Sequence, residues 1–109
     1  MAVLKATDAD FQDLLRQHDR VVVKYYADWC GSCRLFSPKF KRLSDDPAYA
    51  GVAFLDVNAE TDQEARRAAG VTNLPFFATF RNGQLVGTVA ASREEAVREL
   101  ISQLEGDAA

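Results

Sequence analysis

Apolar and polar positions along this chain switch between a two-residue and a 3.6-residue period, and the switches mark its elements. Val3-Leu4-Lys5-Ala6 reads as a short edge strand. Phe11, Leu14, Leu15 and His18 then recur at helical spacing, with Thr7 as the expected N-cap. Asp8 and Asp10 stand where the dipole of that helix favours negative charge. Val21 to Ala27 is a continuous apolar and aromatic run around one lysine, Lys24. Its length and β-branching predict a central strand buried on both faces. A helix is predicted from about Cys30 to Leu43, kinked at Pro38 because proline removes one helical hydrogen bond. Val52 to Val57 reads as the next strand, and Asp62 to Ala69 as a short, charge-rich helix stopped by Gly70. Phe76 to Phe80 and Leu85 to Val89 are predicted to pair about an Asn82-Gly83 turn. Ser92 and Glu95 have the spacing of a capping box for a last helix, which carries Val97, Leu100, Ile101 and Leu104 on one face.

The order βαβαβαββα predicts an α/β fold. Its opening alternation calls for parallel strands joined by crossover helices, and the closing hairpin adds an antiparallel pair. A single domain over residues 1–109 follows, with a central mixed β-sheet flanked by helices on both faces. Composition supports a packed core: 48% of residues are hydrophobic and 27% charged, which excludes a disordered chain. Thirteen basic against 16 acidic residues give a net charge of -3, and nucleic-acid binders concentrate positive charge, so no nucleic-acid partner is expected. No stretch approaches the roughly 20 apolar residues that span a bilayer. The N-terminus turns polar by Thr7 and Asp8, without the apolar run and cleavage site of a signal peptide. A cytoplasmic protein without membrane association is therefore expected.

The candidate chemistry lies in Trp29-Cys30-Gly31-Ser32-Cys33, where the buried strand meets the second helix. Cys30 at the helix start would meet unpaired N–H groups and the dipole, both of which stabilise a thiolate. Cys33 lies one turn later on the same face, close enough for a disulfide without backbone movement. Thiol exchange needs an attacker and a resolving thiol, and the expectation is an exposed Cys30 and a less exposed Cys33. Two cysteines with one histidine, His18, on another helix fall short of a zinc site. A purely structural disulfide across so small a loop would constrain little of the unfolded chain. Neither a metal nor a bound cofactor is expected. Arg34, Lys39, Lys41 and Arg42 read as a solvated helix face, and His18 as a surface residue.

On these residues the chain resembles the thioredoxin family. The likeness rests on Ala27-Asp28-Trp29-Cys30-Gly31-Ser32-Cys33, on Pro38 in the following helix, on Gly70-Val71 leading to Leu74-Pro75, and on the Phe80-Arg81-Asn82-Gly83 hairpin. It runs from about Val3 to Leu104. The resemblance implies a thioredoxin fold and reversible dithiol–disulfide exchange with protein disulfide substrates. It implies a cis Pro75 facing the cysteines, Trp29 covering them, and Leu74 offering backbone hydrogen bonds to an extended substrate segment. Gly31 and Ser32 would also border the substrate. Electrons would come from a thioredoxin reductase or another dithiol donor, placing a monomer in electron transport and cell redox homeostasis.

The chain departs from the family at several positions. Ser32 stands where proline is usual, which implies a less strongly reducing protein, and Ala91 replaces a groove glycine and should narrow the groove. Lys24 occupies the place of the family's buried aspartate, and Asp56 that of its lysine neighbour. This reversed pair is expected to face itself across adjacent strands beneath the cysteines and to take part in catalysis. Ser32 and the reversed pair also leave a second function open: a redox-sensitive protein-binding module that holds a partner around Trp29 and Pro75.

Overall fold

Strands β1 (Val3–Ala6), β2 (Arg20–Tyr26), β3 (Ala53–Asn58), β4 (Phe76–Arg81) and β5 (Gln84–Val89) form one sheet in the order β1-β3-β2-β4-β5. This is seen in a computed structural model that describes residues 3–106, with side chains as far as Leu104. β1 and β2 run parallel to β3, whereas β4 is antiparallel to β2 and β5 antiparallel to β4. Helices α1 (Phe11–Gln17), α2 (Gly31–Ser44), α3 (Gln63–Ala69) and α4 (Glu94–Gly106) complete the predicted order. Among the described residues, no helix is long and apolar enough to cross a membrane.

The central strand shows why its sequence is apolar throughout. Val21, Val23 and Tyr25 pack with Phe11 and Leu15 of α1 and with Ala65 and Ala69 of α3. Val22 packs on the other face, with Phe36, Phe40 and Leu43 of α2 and Val97, Leu100, Ile101 and Leu104 of α4. Side chains of a strand alternate faces, so Lys24 shares the face of Val22 and points beneath α2. The one charge in the run is thereby aimed at the helix that carries the cysteines. The hairpin turn is as expected: Asn82 (φ 51°) and Gly83 (φ 81°) both adopt the positive φ that a two-residue turn of this kind needs. Gly70 ends α3 at φ 66°.

Three local expectations are corrected by the structure. Thr7 does not cap α1. The helix starts at Phe11, and the Asp10 carboxylate instead accepts the Thr7 N–H at 2.7 Å. Asp8 serves a different helix: its carboxylate accepts the N–H groups of Ala65 at 2.9 Å and Glu64 at 3.3 Å at the start of α3. Asp62 returns the contact by accepting the Asp8 N–H at 2.9 Å. The Ser92–Glu95 box is one residue out of register, because the N–H of Val97 bonds the carbonyl of Arg93 and α4 begins at Glu94. A 3₁₀ turn at Pro47–Tyr49, capped by Asp46, occupies a stretch that no periodicity marked.

Asp8→Ala removes the side-chain partner of two orphan N–H groups and should cost about 1 kcal/mol. Urea unfolding should show a lower midpoint with an unchanged slope, whereas a midpoint equal to that of the parent protein would mean that water replaces the cap without loss.

Candidate active site

The junction of β2 and α2 builds the site. Cys30 is the N-cap of α2, and its Sγ accepts the N–H of Cys33 at 3.2 Å. The two cysteines form a disulfide with Cα atoms 5.3 Å apart. A sulfur in this position faces the positive end of the helix and a backbone donor, which together favour a thiolate once the bond is reduced. The hydroxyl of Ser32 lies 3.6 Å from the same sulfur. The expected contrast in exposure is not present in this oxidised form: Cys30 is 5% exposed and Cys33 2%. The two cysteines cluster with Ala27, and Tyr26 and Leu74 pack against that cluster, so Cys30 is buried as well.

Two clefts flank the disulfide. The first, about 230 Å³, is bordered by Ser32, Asn73, Leu74, Pro75, Ala90, Ala91 and Ser92. Its floor carries the Leu74–Pro75 peptide bond, which is cis, as the resemblance implied. Ala91 lines this cleft, at the position where a narrowing was expected. Trp29, beside the cysteines in sequence, is 67% exposed, and its indole N–H donates to Glu60 at 2.6 Å. Glu60 lies in the loop between β3 and α3, and no local pattern in the chain marked it.

The second cleft, about 350 Å³, is bordered by Lys24, Tyr26, Ala27, Asp28, Cys33, Arg34, Ser37 and Asp56. Lys24 and Asp56 are register partners on β2 and β3, as the reversed pair predicted. The Lys24 side chain is 2% exposed, and its ammonium lies 3.4 Å from Asp56 Oδ1. At that distance it attracts the carboxylate, but Oδ1 has no hydrogen-bond partner. The short bond of Lys24 goes elsewhere, to Ser37 Oγ at 2.6 Å. The rings of Tyr26 and Phe40 lie 5.7 and 5.5 Å from the ammonium and favour its charge. Burial pushes the Asp56 carboxyl above its ordinary range, opposed by the charge of Lys24 and more weakly by Lys5 of β1.

Ser37 is a residue that the sequence reading missed. Its hydroxyl donates to the Cys33 carbonyl at 3.2 Å, one helical turn back. The available signal was the four-residue spacing from Cys33, which puts both on the face above Lys24. Arg34, Lys39, Lys41 and Arg42 are exposed along α2, as expected. His18 is half-buried at the end of α1 and borders neither cleft. Among the described residues, no group of three His, Cys, Asp or Glu side chains is placed to hold a metal ion.

The chain is similar to known proteins in sequence and in structure. The family model for thioredoxin aligns with residues 2–103. The chain is 34% identical over 84 residues to thioredoxin of Bos taurus, covering 77% of this chain and 78% of that protein. It is 26% identical to thioredoxin 1 of Plasmodium falciparum, over 94% of this chain and 97% of the relative. The crystal structure of oxidised mitochondrial thioredoxin 3 from Saccharomyces cerevisiae superposes with a TM-score of 0.83 at 28% identity, over 93% of this chain and 94% of that one.

Proposed function

The chain belongs to the thioredoxin family and is a thiol-disulfide oxidoreductase acting on protein disulfides, and from that premise we propose how its residues divide the reaction. The Cys30 thiolate attacks one sulfur of a substrate disulfide. That bond breaks, its electron pair leaves on the other substrate sulfur, which takes up a proton, and a mixed disulfide with Cys30 forms. Cys33 then gives its proton to Asp56 across the cleft that both border. The new Cys33 thiolate attacks the Cys30 sulfur. The Cys30–Cys33 bond forms as the second substrate sulfur leaves and is protonated. The substrate disulfide is reduced to two thiols, and the protein's dithiol is oxidised by the same two electrons. Lys24 holds the Asp56 carboxylate in place from β2.

The substrate segment lies along the cleft of Leu74 and Pro75, with Gly31 and Ser32 at its edge and Trp29 exposed beside it. Electrons return from a thioredoxin reductase or another dithiol donor, with no bound cofactor. In this reading the protein works as a cytoplasmic monomer in electron transport and cell redox homeostasis.

The observation that carries the assignment of Cys30 is the 3.2 Å bond from the Cys33 N–H to its sulfur at the N-cap of α2. Insulin reduction driven by dithiothreitol is the test. The protein should accelerate precipitation of the insulin chains well above dithiothreitol alone. A rate equal to dithiothreitol alone would overturn the reading.

A further inference from the structure

The Lys24 ammonium has three N–H donors and two acceptors beside it, and it is held against one of them. Its Nζ is 2.6 Å from Ser37 Oγ and 3.4 Å from Asp56 Oδ1. An ammonium donates and never accepts, so Ser37 must receive here and direct its own single proton elsewhere. That proton goes to the Cys33 carbonyl, 3.2 Å away. The polarity of the chain is therefore set: Lys24 to Ser37 to the backbone of the resolving cysteine. Asp56 Oδ1 is left without a hydrogen bond, although it is buried and only one ion-pair distance from a cation. Leaving a buried carboxylate oxygen unpaired is costly, so the arrangement calls for a reason.

We propose that Ser37 is a positioning residue for the resolving step: its hydroxyl anchors the Lys24 ammonium to the Cys33 turn, at a place where none of its three N–H groups is aligned on Asp56 Oδ1, which keeps Asp56 free to accept the Cys33 proton. The inference rests on the assignment of Asp56 as that acceptor. In that step the proton leaves Cys33 for Asp56, and the thiolate so formed attacks the Cys30 sulfur and expels the substrate sulfur. A carboxylate hydrogen-bonded to an ammonium is a weaker base than one held only by a more distant charge. The detour through Ser37 therefore keeps Lys24 close enough to orient Asp56 without quenching it.

The other titratable groups around Asp56 come from β1, β2, the stretch just after β2, and α2. Lys24 and Tyr26 belong to β2, and Lys5 of β1 is its register partner on the far side. Arg34 of α2 and Asp28, just after β2, border the same cleft as Cys33. Apart from Lys24, none of them is changed by a substitution at Ser37, so a changed pH response reports the new position of the Lys24 ammonium.

The test is rapid mixing of the reduced full chain with a protein disulfide, following formation and resolution of the mixed disulfide separately across pH. In Ser37→Ala the ammonium turns onto Asp56. Formation should keep its rate, while resolution should slow about fivefold, since a weaker base removes less of the thiol proton. The midpoint of the acid limb of resolution should fall by about one pH unit. Ser37→Thr keeps a hydroxyl and should restore both values. A purely structural role would lower the unfolding midpoint and leave the pH profile in place. Asp56→Asn in the same experiment separates the two ideas. If it slows resolution while Ser37→Ala superimposes on the parent profile, the role of Ser37 is overturned alone. If Asp56→Asn leaves resolution unchanged, the assignment of Asp56 and the role of Ser37 fall together.

Discussion

Cys33→Ser should turn this protein into a covalent trap. Given a disulfide-containing protein, Cys30 still attacks, because the helix N-cap position that favours its thiolate is untouched. With no second thiol, nothing inside the protein can displace the substrate, and the mixed disulfide accumulates to near completion. Cys30→Ser should show the opposite. Insulin reduction should fall to the rate of dithiothreitol alone, and no adduct should form, because Cys33 lies inside the first turn and lacks the N-cap position that favours a thiolate at Cys30. Non-reducing electrophoresis with mass spectrometry of the adduct checks both variants. Adducts formed through Cys33 in Cys30→Ser would reverse the assigned roles.

Separating Lys24 from Asp56 should have the largest effect on stability. Lys24→Met leaves the Asp56 carboxylate in its cleft without the ammonium, and Asp56→Asn leaves an ammonium at 2% exposure without its counter-charge. Breaking a buried pair costs 3–5 kcal/mol when burial is complete. The Asp56 side chain is 28% exposed, so each single change should cost about 3 kcal/mol, the lower end of that range. The double change Lys24→Met with Asp56→Leu should cost clearly less than the two singles together, with a coupling of about 2 kcal/mol in the cycle.

The pH response of stability follows from the same pair. Burial raises the Asp56 carboxyl above its unfolded value, against the pull of Lys24 and Lys5. Between the ordinary carboxylate range and that raised value, the native state binds more protons than the unfolded state. This contribution to stability is complete at low pH and is lost as pH rises through the raised value. Lys24→Met removes the main opposing charge, so the raised value climbs further and the window widens. The variant should therefore be hurt most at neutral pH and recover part of its loss in mild acid. Urea unfolding at several pH values measures this, and a deficit that does not vary with pH would place the carboxylate in contact with water.

What the sequence revealed depended on the range of the interactions. Most of the strands and helices were legible because they bury apolar residues in a local pattern, as in the Val21 to Ala27 run or the Val97–Leu104 stripe, whereas β5, with no fully buried residue, was marked by the Asn82-Gly83 turn before it. The Lys24–Asp56 pair was legible because a strand register carries one residue directly to its neighbour. The caps were less so. Thr7 satisfies the local rule for an N-cap, but Asp10 folds back onto it, and Asp8 is drawn to α3 from far along the chain. Glu60 on Trp29 and Ser37 over Lys24 are likewise meetings of distant segments or of a helix with the sheet below it. Exposure of Cys30 could not be read from spacing either, since it depends on how Leu74 and Tyr26 close over the disulfide.

The account stands most directly on the inequality of its two thiols. Alkylation of the reduced protein across pH, with the label on each cysteine resolved by mass spectrometry, measures it. Cys30 should react with a midpoint below the ordinary thiol value of about 8.5, and Cys33 with a midpoint above that of Cys30. A lower midpoint at Cys33, or two thiols titrating together at the ordinary value, would contradict the account.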